Sequence, residues 1–402
     1  MRQRHRRFPF RLTLGMAAAA GLVLTAAPAQ ATGEIVNANA PGTLADQYIV
    51  VLDGAPSAAG EAQVRFYAQD LAGRYGGSLG HVYSAALRGF SVRMPEQQAR
   101  RLAAEPAVKY VQQSGMVRAA GTQQNPPSWG LDRVDQPDLP LDDAYTYPNE
   151  GTGVTAYIAD SGIRGTHKTF EGRAEDGYDF VDDDATTQDC NGHGTHVAGT
   201  VGGEDHGVAK DVSLVAVRVL GCDGTAPDSV ALAGLDWIAK NAAKPAVVNM
   251  SLTFDTVDEA QEEAVRNVVG AGITVVVAAG NSGADACQAS PARVPEVITL
   301  GNSDERDRRS LSSNHGRCLD LFAPGTNITS ASHSSDDGSA TMTGTSMASP
   351  HAAGAAALYL STHAQAAPQE VQEALTGNAV QGKIGDPGAG SPNLLLNVGK
   401  LG

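Results

Sequence analysis

Val154-Thr155-Ala156-Tyr157-Ile158-Ala159-Asp160-Ser161-Gly162 runs from a short apolar segment directly into an acid, a serine and a glycine. An apolar run of this length, closed by turn-forming residues, reads as a strand buried on both faces. The same pattern recurs at residues 214–219, 246–250, 273–279 and 297–300. Between these runs lie helical stretches at 229–240 and 257–269, the second apolar at 257, 260, 264, 265 and 268. Continuous apolar strands alternating with amphipathic helices predict an α/β fold, a doubly wound, mostly parallel sheet with helices on both faces. In such sheets reactive groups collect just beyond the carboxyl ends of the strands. Asp160 stands at such an end.

Working outward, residues 32–120 carry a pattern of their own. Residues 48–52 read as a strand and 61–75 as a helix; 81–83 and 89–92 read as two strands, 95–104 as a helix and 108–111 as a strand. The order β-α-β-β-α-β predicts a small α+β, ferredoxin-like module. The polar Gly- and Pro-containing stretch 119–127 reads as a linker. Before the module, an arginine cluster, an Ala-rich apolar run over 12–27 and Ala29-Gln30-Ala31 have the three parts of a secretory signal. The apolar run is too short to span a bilayer. The expected division is 1–31 signal peptide, 32–120 accessory module and 121–402 main domain.

A chain of 402 residues has room for two domains, and a main domain of this size buries its own core. Its net charge of −15 argues against a nucleic-acid surface. Cys190, Cys222, Cys287 and Cys318 all lie in the exported part, where an even number suits disulfides. Four cysteines allow three pairings, and their spacings do not choose among them.

Three residues at predicted element ends carry chemistry. Asp160 ends a strand; His193 lies in Asn191-Gly192-His193-Gly194-Thr195-His196 at a helix start; Ser346 lies in Gly344-Thr345-Ser346-Met347-Ala348 where an alanine-rich helix begins. Separately, each has an ordinary role as turn former or cap. Together they supply what peptide hydrolysis needs: a nucleophile, a base and an acid that orients the base. The GxSxG elbow of α/β-hydrolases is absent, because position 348 is Ala. His193 and His196 do not form HExxH, and no glutamate stands between them, so a zinc hydrolase is a poor second reading. A catalytically silent binding protein on the same fold would be favoured by a substituted triad position, and all three positions are intact.

Asp160-Ser161-Gly162, Gly192-His193-Gly194-Thr195-His196, Ala278-Ala279-Gly280-Asn281 and Gly344-Thr345-Ser346-Met347-Ala348 resemble, in order, the four signature blocks of subtilisin-like serine peptidases. Residues 126–133 and Asp307-Arg308-Arg309-Ser310 resemble the proteinase K and aqualysin branch, and the 32–120 module resembles that family's inhibitory propeptide. The resemblance implies a secreted, self-processing serine endopeptidase, acting as a monomer on polypeptides and inhibited by its own propeptide. No nucleic acid is implied, and no membrane after signal removal. It adds Asn281 as the side-chain donor of an oxyanion hole, with the Ser346 N–H as its companion.

The resemblance also implies a substrate cleft. Ser251, Leu252 and Thr253 form one side of the primary pocket and Gly224, Thr225 and Ala226 the facing segment, with Ala278, Ala279 and Gly280 as the floor. Small residues there, with no acid to select arginine or lysine, imply an apolar or aromatic preference. Thr253 and Phe254 stand where relatives often carry glycine, and Pro227 is expected to end the second segment abruptly. Disulfides Cys190–Cys222 and Cys287–Cys318 are implied. So is a structural calcium ion held by the Pro295 and Val297 carbonyls and the Asp320 carboxylate, oxygen ligands that suit it.

Overall fold

The computed structural model describes residues 32–39, 43–54, 60–115, 121–254 and 257–401. The expected signal segment, 1–31, lies outside the described residues. So do 116–120, where the accessory module is expected to end. The chain divides into two compact units, one built on Asp46–Gln112 with the stretch ending at Val36, the other on Gln113–Gly402 with Asn37–Ala45.

The smaller unit carries a five-stranded sheet in the order Ile35–Val36, Val108–Gly115, Thr43–Leu52, Gly89–Arg93, Ser78–Tyr83. Helices Glu61–Arg74 and Glu96–Leu102 complete the expected alternation. Glu61–Arg74 forms because Val64, Ala68, Leu71 and Ala72 fall on one face and are buried, while Glu61 and Arg65 pair one turn apart on the wet side. The edge strand Ile35–Val36 is additional to the sequence reading.

The larger unit is built on a nine-stranded sheet. Its order is Val380–Gln381, Leu394–Leu395, Leu321–Pro324, Ile298–Ser303, Thr274–Ala278, Ala246–Met250, Thr155–Asp160, Ser213–Arg218, Ala174–Asp179. Every pairing is parallel except that of Val380–Gln381 with Leu394–Leu395. Alternate side chains of each strand enter opposite cores. Ala156, Ile158, Val247 and Val276 pack with Val197 and Val201 of helix His193–Gly202, with the alanines of helix Thr345–Thr362, and with Val371 and Leu375 of helix Pro368–Asn378. Tyr157, Ala159, Val248, Val275 and Val277 pack with Leu235 and Ile238 of helix Asp228–Asn241 and Val265 and Val268 of helix Glu259–Gly270. Burial on both faces is why these strands read as unbroken apolar runs.

The stretch 119–127, expected as a linker, is partly ordered structure. Gly121–Gln124 pairs antiparallel with Ala144–Tyr147, so its main-chain groups are satisfied in a ladder. Ser128 then caps helix Trp129–Asp135, accepting from the Gly130 N–H at 3.3 Å. Within that helix Arg133 is fully buried, and its guanidinium forks onto Asp307 at 2.7 and 2.9 Å. Two segments 174 residues apart are thereby joined by one desolvated ion pair. Asp307 has φ of 57°, a left-handed conformation that Asn tolerates well. Asp307→Asn therefore isolates the loss of charge, leaving Arg133 buried without a counter-ion at a cost on the order of 3 kcal/mol. Denaturant unfolding measures this, and a loss below about 1 kcal/mol would show the pair to be dispensable.

Candidate active site

Asp160 closes strand Thr155–Asp160 and is fully buried. Its two carboxylate oxygens lie 2.8 and 2.9 Å from His193 Nδ1, and Oδ1 also accepts the Ser161 N–H at 2.7 Å. Burial disfavours the charged imidazole of His193. The charge and hydrogen bond of Asp160, with the charge of Asp189, outweigh it and hold the His193 pKa above its ordinary value. A carboxylate at Nδ1 fixes that nitrogen as the protonated one, so Nε2 is left as the proton acceptor.

The contact is set by close backbone packing. Gly162 has φ of +105°, and a Cβ there would lie 2.4 Å from Thr187 O. A Cβ on Gly194 would lie 2.2 Å from Gly162 O. Only glycine lets the turn after Asp160 press against the first turn of helix His193–Gly202. Asp189, which sequence reasoning missed, holds that turn in place. Its Oδ1 accepts Ser161 Oγ–H and the Asn191 and Gly192 N–H groups, and its Oδ2 accepts the Thr195 N–H and hydroxyl. A buried acid three residues before Gly192-His193 was the available signal.

Ser346 is the second residue of helix Thr345–Thr362. Pro350, four residues later, has no N–H to donate to the Ser346 carbonyl. Ser251 Oγ donates to that carbonyl instead, at 2.7 Å. The Ser346 hydroxyl in turn donates to Ser251 O at 3.1 Å. Behind them Asn249, buried within strand Ala246–Met250, donates to Ser251 Oγ at 2.8 Å and accepts from Ser349 Oγ at 2.7 Å. A lone Asn in an apolar strand was the signal for this second missed residue. Asn281 Oδ1 accepts the Thr345 N–H at 2.8 Å and the Thr345 hydroxyl at 3.2 Å. With its oxygen committed, the Asn281 amide presents its NH2 as the free donor.

His193, Asn281 and Ser346 line one cleft of about 450 Å³. Its walls include Gly224, Thr225, Ala226 and Pro227 on one side and Ser251, Leu252, Thr253 and Phe254 on the other. Ala278, Ala279 and Gly280, expected as a floor, are buried; Ala279 packs with Ala286, Leu319 and Phe322, and a Cβ on Gly280 would lie 3.6 Å from Thr253 Cγ2 in the wall. Pro227 does not end a strand. The Gly221 N–H donates to Thr225 O in a tight turn, and Pro227 caps helix Asp228–Asn241. Disulfides join Cys190 to Cys222 and Cys287 to Cys318. The first ties the turn before His193 to the Gly224–Ala226 wall.

The oxygens expected around calcium do converge. Pro295 O, Val297 O and Asp320 Oδ1 lie 3.4, 3.2 and 2.9 Å from a single atom, Nε2 of Gln372. Burial pushes the Asp320 carboxyl up to about 6, against the lowering effect of hydrogen bonds from Thr299 N–H and Gln372. The set is all oxygen and anionic, which suits a hard cation. An ion fits at that point only with the Gln372 side chain displaced.

His196 turns away from the cleft, its Nε2 lying 2.9 Å from Ile328 O. Among the described residues no group of three or more His, Cys, Asp or Glu side chains could hold a metal. Nor, among them, is any helix long and apolar enough to cross a membrane.

The Subtilase family pattern matches residues 151–397, and that of Peptidase inhibitor I9 matches 47–120. The chain is 51% identical over 324 residues to an extracellular serine proteinase of Thermus sp. (strain Rt41A), covering 81% of this chain and 78% of the relative. It is 44% identical over 363 residues to alkaline serine exoprotease A of Vibrio alginolyticus, covering 88% and 67%. The solved structure of a cold adapted subtilisin-like serine proteinase matches with a TM-score of 0.66 and 50% identity, over 67% of this chain and 97% of that one.

His196, His206 and His351 are buried, and burial lowers each pKa to about 4. Between pH 6.5 and 4 the unfolded chain binds protons at these sites that the folded chain refuses. The stability they contribute is thus present above pH 6.5 and lost as pH falls towards 4. Each accounts for up to about 1.4 kcal/mol per pH unit in that window. Unfolding free energy measured at pH 6.5 and pH 5 should fall steeply, and equal values would contradict neutral burial of these rings.

Proposed function

The chain belongs to the subtilase family of serine peptidases, and from that premise we propose that Ser346, His193 and Asp160 are its nucleophile, base and orienting acid. It is a subtilisin-like serine endopeptidase that carries an N-terminal I9 inhibitor domain. The observation that carries the assignment is the buried Asp160 carboxylate within 2.9 Å of His193 Nδ1, at the mouth of a cleft that Ser346 shares.

In this reading the Ser346 hydroxyl turns from Ser251 O to His193 Nε2 and attacks the scissile carbonyl carbon as its proton passes to the imidazole. The carbonyl oxygen gains negative charge and is met by the Ser346 N–H and the Asn281 amide. A side-chain donor in that role is worth roughly 2.7–4 kcal/mol in subtilisin, a member of the same family. His193 gives the proton to the leaving amine as the C–N bond breaks. Water, deprotonated by the same imidazole, then attacks the acyl carbon, and the Ser346 oxygen leaves as His193 returns the proton to it. Asp160 stays ionised throughout and stabilises the imidazolium.

The finer reading is a secreted zymogen that removes its own propeptide near residue 120 and works as a monomer. Secretion and propeptide removal are supported by the I9 match ending at 120, the signal-like residues 1–31 and a relative described as extracellular. Calcium would be held by the Pro295 and Val297 carbonyls and the Asp320 carboxylate, acting as a cross-link between loops rather than in catalysis. A fluorophosphonate probe followed by mass spectrometry should place the adduct on Ser346. Ser346→Ala should abolish both peptidase activity and propeptide release, with turnover down on the order of a million-fold. Release of a mature form by the isolated alanine variant would rule out self-processing.

Specificity follows from the walls. Val219, Leu220, Leu252 and Phe254 are apolar, and among the described residues that line the cleft none is an acid, so large apolar residues are favoured before the cut. Ala226 and the rigid Pro227 ring narrow the same wall and should disfavour aromatic residues at the fourth position before the cut. A library of internally quenched peptides varied at both positions, run on the enzyme and on Ala226→Gly/Pro227→Gln, checks this. Equal cleavage of small and aromatic residues at the fourth position by both proteins would remove any role for the proline.

A further inference from the structure

Helix Pro368–Asn378 is held against the main core by Val371 and Leu375, both fully buried. Gln372 lies between them in sequence, half-buried, and its amide nitrogen bonds Pro295 O, Val297 O and Asp320 Oδ1 together. An amide nitrogen has two hydrogens, so three acceptors exceed its capacity. The nitrogen bears no full charge to set against the half-buried carboxylate. An ion bonded to these oxygens at about 2.3–2.6 Å would occupy the space the amide group fills. Flipping the amide only exchanges Nε2 for Oε1 at the same point. The side chain must therefore swing out by a change of rotamer, and its position at the protein surface leaves it room to do so.

We propose that Gln372 is a built-in competitor for the cation: its amide closes the Pro295, Val297 and Asp320 site in the metal-free enzyme, and cation binding expels it. This rests on the proposed calcium site. The arrangement keeps the loop ends near Pro295 and Asp320 joined when calcium is scarce, and it lowers the affinity for the ion by the amount needed to break the amide contacts.

The test uses the full chain in a Ser346→Ala background, which prevents self-digestion, alone and with Gln372→Ala or Asp320→Asn added. Calcium is titrated calorimetrically, and thermal midpoints are read in chelator and in millimolar calcium. Gln372→Ala should bind calcium about tenfold more tightly, because no amide has to leave. In chelator its midpoint should fall by about 3–6 °C, and calcium should restore it. Asp320→Asn should lose this binding. Unchanged affinity and an unchanged chelator midpoint in Gln372→Ala, with binding still lost in Asp320→Asn, would overturn the competitor while leaving the calcium site intact. Calcium binding undiminished in Asp320→Asn would instead overturn the site itself, and the competitor with it.

Discussion

The parallel sheet of the larger unit is covered on both faces, and this constraint decides where polar chemistry can stand. Along Thr155–Asp160, Ala246–Met250 and Thr274–Ala278, alternate side chains are committed to two separate cores. Reactive groups are thereby pushed to the carboxyl ends of the strands and to the helix starts beyond them. These three strands are neighbours in the sheet. Asp160, Ser251 and Asn281, far apart in sequence, consequently emerge side by side, and His193 and Ser346 arrive on helices that pack over the same edge.

Asp160 and Asp189 at that edge are buried, so each must be satisfied or the fold loses stability. Asp160 is satisfied by His193 and the Ser161 N–H, and Asp189 by the N–H groups of the following helix turn. The Ser346 carbonyl, orphaned by Pro350, is satisfied by Ser251. These bonds orient the reacting side chains as a by-product of closing the hydrogen-bond inventory.

Segments beyond the sheet are tied together by further links. Each disulfide closes a span of just over thirty residues, 32 for Cys190–Cys222 and 31 for Cys287–Cys318, worth on the order of 3 kcal/mol through the unfolded state. Arg133 and Asp307 add a buried ion pair between distant segments, and Gln372 gathers three oxygens from two loops.

Sequence by itself determined the apolar central strands, the amphipathic helices between them, the β-α-β-β-α-β module and the identity of the residues at the strand ends. Each of these is written in local periodicity or in the chemistry of a short segment. Ala174–Asp179 escaped because an edge strand rich in charge does not read as an apolar run, and Gly121–Gln124 because its pairing partners lie twenty or more residues away. Pro227 reads as a strand breaker but starts a helix, since an isolated proline fits either role. Asp189, Asn249 and Gln372 had no local signature beyond an unexpected polar residue. Their roles exist only through partners brought to them by the fold, because a hydrogen bond depends on distance in space and not on separation along the chain.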